Sequence, residues 1–104
     1  MRADVRKIIK SEWFTCWFDS LRDSRAKADV LRRLDRAAEG NFGDHRTVAG
    51  GISELQIHHG PGYRVYYGED GPVVVLLLCG GAKETQSRDI SLAARLWKNY
   101  LRNR

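Results

Sequence analysis

Residues 73–79, VVVLLLC, are apolar at every position. The run is far shorter than the roughly 18 residues that span a bilayer. A strand with one wet face alternates polar and apolar side chains, whereas this run is apolar on both faces and so predicts a strand lying deep in a sheet. The chain must build that sheet around it.

The segments just upstream supply the neighbours. HRTVAGG, ISELQIHH and YRVYYGED are short and separated by Gly and Pro, the texture of a β-meander. At the other end of the chain VRKIIK, residues 5–10, reads as an edge strand protected by its own lysines. Ser11 is a plausible N-cap, and from it Trp13, Phe14, Trp17, Phe18 and Leu21 recur at helical spacing as one wide apolar stripe.

A second helix follows in SRAKADVLRRLDRAAEGNFGD. It places Val30, Leu31, Leu34 and Ala38 on one face and leaves Arg25, Arg32, Arg33 and Arg36 as a solvated face, with Gly40 as its stop. TQSRDISLAARLWKNYLRNR repeats Leu92, Ala93, Leu96, Trp97, Tyr100 and Leu101 as a closing amphipathic helix. The order β-α-α-β-β-β-β-α predicts an α+β domain over residues 1–104: a mostly antiparallel sheet with helices packed on one face and the other face partly open.

The chain is long enough for one domain with its own core, and it has no membrane-spanning run and no secretion-type apolar segment near its start. A cytoplasmic protein is expected. Cys16 and Cys79 sit among apolar neighbours, so no disulfide is expected. The 18 Lys and Arg against 13 Asp and Glu give a net charge of +5. That excess suits a polyanion such as nucleic acid, and it equally suits an acidic protein.

Chemistry concentrates in HHGPGYRVYY, residues 58–67. If Leu55, Ile57, Val65 and Tyr67 face the helices, alternation turns Glu54, Gln56, His58, Arg64 and Tyr66 to the other side. A Gly60-Pro61-Gly62 loop with His59 opposite Tyr63 would set His58 beside Arg64 and Gln56 beside Tyr66. An imidazole and a guanidinium so placed suit a phosphate, the one titrating near neutrality and the other offering a fixed fork of donors. GGAKETQSRD then adds Lys83 at the strand exit, where the last helix also begins.

Plainer roles compete. A strand arginine is more often solvated or salt-bridged than catalytic. Trp13, Trp17, Trp97 and Tyr100 read as packing residues rather than a base-stacking platform. His45, His58, His59, Cys16 and Cys79 show no metal-ligand spacing.

Taken together, GNFGD, GGISELQIHHGPGYRVYY and VVVLLLCGGAKETQSRDI resemble the addiction-module killer proteins, the HigB-like branch of the RelE/ParE toxin superfamily, over nearly the whole chain. The resemblance implies a twisted RelE/ParE-like sheet and the toxin of a type II toxin–antitoxin pair. It also implies a small cognate antitoxin with a helix-turn-helix domain, through which alone operator DNA would be contacted.

RelE-type members cleave messenger RNA in the ribosomal A site, and ParE-type members poison DNA gyrase. By this likeness Arg64 contacts the scissile phosphate and Lys83 stabilises its charge. Glu54 and Gln56 stand where RelE presents two lysines, and Asp89 where RelE has a tyrosine at the start of the last helix. Histidine and carboxylate chemistry, by His58 with Asp89 or Glu54, therefore takes the proton-transfer role. Gln56, Tyr66, Arg88 and Arg46 complete the expected surface as substrate-binding residues.

The expectation is a metal-independent, cofactor-free endoribonuclease acting on messenger RNA at the ribosome, with no membrane partner. Two rival readings stay open: a gyrase-binding module on the same scaffold, and a catalytically decayed corepressor, which the missing lysines would suit.

Overall fold

The computed structural model describes residues 5–104. Its order is β1 (Lys7–Lys10), α1 (Glu12–Ser20), α2 (Ser24–Ala38), β2 (His45–Ala49), β3 (Ile52–Ile57), β4 (Tyr63–Asp70) and β5 (Val74–Ala82). A single 3₁₀ turn (Lys83–Thr85) then leads into α3 (Gln86–Asn103). The fold is α+β, with one five-stranded sheet ordered β1-β5-β4-β3-β2. β1 runs parallel to β5, and every other pair is antiparallel. No helix among the described residues is long and apolar enough to cross a membrane.

The local signals place the elements. Ser11 caps α1 by accepting the amide of Phe14, and its hydroxyl donates to the carbonyl of Leu78 in β5, so one side chain starts the helix and docks it on the sheet. Asp23 caps α2 by accepting from Arg25 and Ala26. Gly40 ends it with φ of 89°.

Helices cover both faces of the sheet, and the expectation of a single covered face is corrected. α1 and α2 bury Phe14, Val30 and Leu34 against Leu55, Val65, Tyr67, Val75 and Leu77. α3 buries Ala93 and Trp97 against Ile52, Tyr66, Leu76 and Leu78 on the reverse side. The cause lies in β5, where Val75 and Leu77 alternate with Leu76 and Leu78, so both faces of the strand need an apolar cover. Gly68 makes room for it, since a Cβ there would lie 2.5 Å from the Trp97 ring.

Two stripes also differ from expectation. The buried face of α2 is Ala26, Val30, Leu34 and Ala37, while Leu31 points to solvent and Ala38 is half-buried. In α1, Phe14 is buried but Trp13 is 54% exposed. Nor is Arg33 a solvated residue: its guanidinium donates to the carbonyls of Gln56, Phe42 and Asp44 at 2.5, 3.0 and 2.9 Å, tying α2 to the β2 and β3 ends.

Candidate functional site

The loop of the β3–β4 hairpin is two residues longer than its sequence suggests. Ile57 pairs with Tyr63, Gln56 with Arg64 and Glu54 with Tyr66, which leaves residues 58–62 as the loop. The expected pairs, His58 with Arg64 and Gln56 with Tyr66, are thus displaced by two residues. Gly60 and Gly62 take φ of 55° and 77°, and the amide of Gly62 donates to the carbonyl of His59. Pro61 has no amide to give a ladder. A two-residue displacement preserves which face each side chain occupies, so Glu54, Gln56, Arg64 and Tyr66 do share the side opposite α1 and α2.

Glu54 is the centre of that surface. It is 0% exposed. Its carboxylate accepts from Arg46 Nε at 2.8 Å, Gln56 Nε2 at 2.8 Å and Gln86 Nε2 at 3.1 Å, with Arg64 Nε 3.5 Å away. Burial by itself would raise its pKa. The hydrogen bonds from Gln56, Arg46 and Gln86, with the charge of Arg46, outweigh burial and hold the carboxyl below the usual glutamate range. Glu54 is therefore a fixed anion that draws β2, β3, β4 and the start of α3 together, and it is not free to act as a surface base.

Arg64 lies over this anion with its side chain only 13% exposed, and its Nη1 donates to the carbonyl of Gly62 at 2.9 Å. The guanidinium is thus gripped between the loop and Glu54, and its remaining edge faces an open cleft of about 480 Å³. Gln56, His58, His59, Arg64 and Lys83 contribute the polar lining. Lys83 arrives from the exit of β5, as the position of GGAK predicts.

The histidines anchor the loop from opposite sides. His58 pairs with Asp44 and is 72% exposed. His59 bridges Asp23 at 2.8 Å and Asp29 at 3.3 Å, the N-cap of α2 and a residue within it. The bond from His59 holds the Asp23 carboxyl below its ordinary value, as that from His58 does for Asp44.

Arg64, Lys83, His58 and Gln56 therefore meet at one cleft, and the other expected site residues do not. Tyr66 is fully buried under α3 and cannot touch a surface ligand, and burial pushes its phenol pKa upward. Arg46 is engaged on the far side of Glu54. Arg88 is exposed in the adjoining groove at the start of α3.

Asp89 is 6% exposed and accepts the Thr85 hydroxyl at 2.6 Å. It secures the first turn of α3 beside Gly81, the β5 neighbour of Arg64, and does not line the Arg64 cleft. Gly81 is what admits it: a Cβ there would lie 1.8 Å from Asp89 Oδ2 and 3.1 Å from Thr85 Oγ1. Gly81→Ala is expected to cost about 1–3 kcal/mol, read as a lower urea midpoint at unchanged slope. An unaltered midpoint would show that the junction between β5 and α3 is loose.

The sequence reading missed three features: Glu54 as a buried hub, the clamp of His59 on α2, and the exposure of Trp13. Glu54 had a faint signal, since it is the one carboxylate of β3 and stands on the same face as Gln56 and Arg64. The His59 partners lie 36 and 30 residues away and leave no local trace.

No protein-family model matches the chain. The chain is 48% identical over 83 residues to an uncharacterized protein of Haemophilus influenzae (strain ATCC 51907 / DSM 11121 / KW20 / Rd), a match covering 80% of this chain and 84% of that protein.

Proposed function

The chain belongs to one family with the uncharacterized Haemophilus influenzae protein, and we propose that it is the toxin of a type II toxin–antitoxin pair that cleaves messenger RNA on the ribosome. One observation carries this reading: Arg64, gripped by Glu54 and Gly62, shares an open cleft with Lys83 and His58. Two cations and a titratable imidazole around one opening suit an RNA phosphate, and the resemblance to HigB-like killer proteins supplies the biological setting.

In this mechanism the 2′-hydroxyl gives its proton to His58 and attacks the adjacent phosphorus. The P–O5′ bond breaks, and a 2′,3′-cyclic phosphate and a 5′-hydroxyl result once the leaving oxygen takes up a proton. Arg64 and Lys83 stabilise the extra negative charge of the phosphorane. His58 carries the proton without help from Asp89 or Glu54, because both carboxylates are committed to other contacts. The site is an open surface, so the ribosome is needed to hold the strand in an attacking geometry. The cognate antitoxin, with a helix-turn-helix domain, silences the toxin and carries it to operator DNA.

The test is induction of the chain without antitoxin, followed by primer extension on a translated reporter RNA before growth stops. Discrete cuts that depend on translation are expected. Growth arrest with intact RNA would move the reading to a gyrase-binding module, and unaffected growth to a decayed corepressor.

A further inference from the structure

Trp13 presents a large apolar surface to solvent although its neighbour Phe14 is core. It borders an open cleft of about 850 Å³ together with Arg88, Asp89, Ser91, Leu92 and Arg95. The mouth carries two guanidiniums against one mostly buried carboxylate: Asp89 accepts the Thr85 hydroxyl on Oδ2, and its Oδ1 lies 3.8 Å from Arg88 Nε.

This cleft belongs to a longer track. The Arg64 cleft shares Lys83 with the groove at the start of α3, and that groove shares Arg88 with the Trp13 cleft. Glu84 and the mostly buried Asp89 are the carboxylates on its walls, and Glu12 precedes Trp13 on α1. Beyond Asp89 the chain carries no Asp or Glu, while Arg95, Lys98 and Arg102 follow Arg88 at intervals of seven, three and four residues. Those intervals keep them on one exposed side of α3 over roughly 21 Å at about 1.5 Å per residue.

We infer that the Trp13 cleft is a second subsite for single-stranded RNA, in which an unpaired base stacks on the indole while Arg88 and Arg95 hold the flanking phosphates. The substrate class rests on the ribonuclease reading above. The subsite rests on Trp13 and on the continuity of the cationic track with the Arg64 cleft. Base stacking on an aromatic side chain beside phosphate-binding cations is the general means of holding single strands. A protein partner needs no unbroken line of cations leading from Trp13 to a phosphate cleft.

The experiment uses the full chain and a 2′-O-methyl oligoribonucleotide of about twelve residues, a length within the usual single-strand site size, whose blocked hydroxyls prevent cleavage. Binding is followed by fluorescence anisotropy at low salt, with circular dichroism verifying that each variant is folded. Trp13→Ala is expected to bind roughly 5- to 100-fold more weakly, and Trp13→Phe to recover most of the loss. Arg95→Gln should lower affinity and reduce the salt slope by about 0.7.

Equal binding by wild type and Trp13→Ala overturns the inference. So does a wild type that ignores the oligonucleotide and binds a glutamate-rich amphipathic peptide through Trp13. If translated RNA stays intact in cells while Trp13-dependent RNA binding persists, the ribonuclease reading falls and the subsite stands. If RNA is cut and Trp13→Ala binds normally, the reverse holds.

Discussion

Arg64→Ala is expected to abolish growth arrest and reporter cleavage while leaving the protein folded. Removing one preorganised donor from a developing oxyanion costs about 10²–10³ in rate. Arg64 is the better placed of the two cations for this task, because Gly62 and Glu54 fix its guanidinium before substrate arrives. Lys83 is exposed at the end of a flexible stem.

The fold should survive the change. Glu54 keeps Arg46, Gln56 and Gln86 within hydrogen-bonding distance, and Arg64 is its most distant partner at 3.5 Å. A stability loss of about 1 kcal/mol is the scale of one such contact. Arg64→Lys should restore little, since a point charge cannot reproduce the fork that reaches both Gly62 and the cleft. Growth curves, primer extension and urea melts on the three proteins decide the matter. A fully toxic Arg64→Ala protein would remove this arginine from the mechanism, and a silent but unfolded one would make its role structural.

The sequence exposed the elements more readily than their partners. VVVLLLC announced an interior strand, and β5 does lie between β1 and β4. The same run also held the clue to helices on both faces, because Leu76 and Leu78 need an apolar cover as much as Val75 and Leu77 do. The α2 stripe also differs from its periodicity. Leu31 is the larger apolar residue, but burial follows the line Ala26, Val30, Leu34, Ala37.

Site residues split along the same division. Alternation gave the face of Arg64, Gln56 and Glu54, and the face survived because the hairpin slipped by two residues and not one. Position after the glycines gave Lys83. What no pattern gives is coverage: Tyr66 lies on the polar face by alternation but beneath α3, and Asp89 opens the last helix but is received by Gly81. Contacts between residues far apart in the chain decide those roles.

Coverage also decides the fate of Glu54, for which a far larger stability loss is expected. Glu54→Ala leaves Arg46 and the mostly buried Arg64 facing an empty, desolvated space where an anion stood, together with the amides of Gln56 and Gln86. Deleting one member of a buried ionic cluster costs about 3–5 kcal/mol. Glu54→Gln keeps the volume but not the chemistry: every neighbour is a donor, and the new amide turns two further donors toward them. It should therefore be destabilising as well, by less than alanine.

The pH dependence has a definite sign. Hydrogen bonds and the Arg46 charge hold the Glu54 carboxyl below its ordinary value in the folded protein. The folded state then binds this proton less readily than the unfolded chain. The contribution is complete above the unfolded glutamate value of about 4.3 and is lost as pH falls from there through the depressed folded value. Urea unfolding at pH 7 and at pH 3.5 should therefore show the gap between wild type and Glu54→Gln narrowing in acid. A constant gap would mean that the folded protein does not depress the Glu54 carboxyl, and a gap that widens in acid would mean that Glu54 is already protonated at neutral pH and that Arg64 is aimed by Gly62 alone.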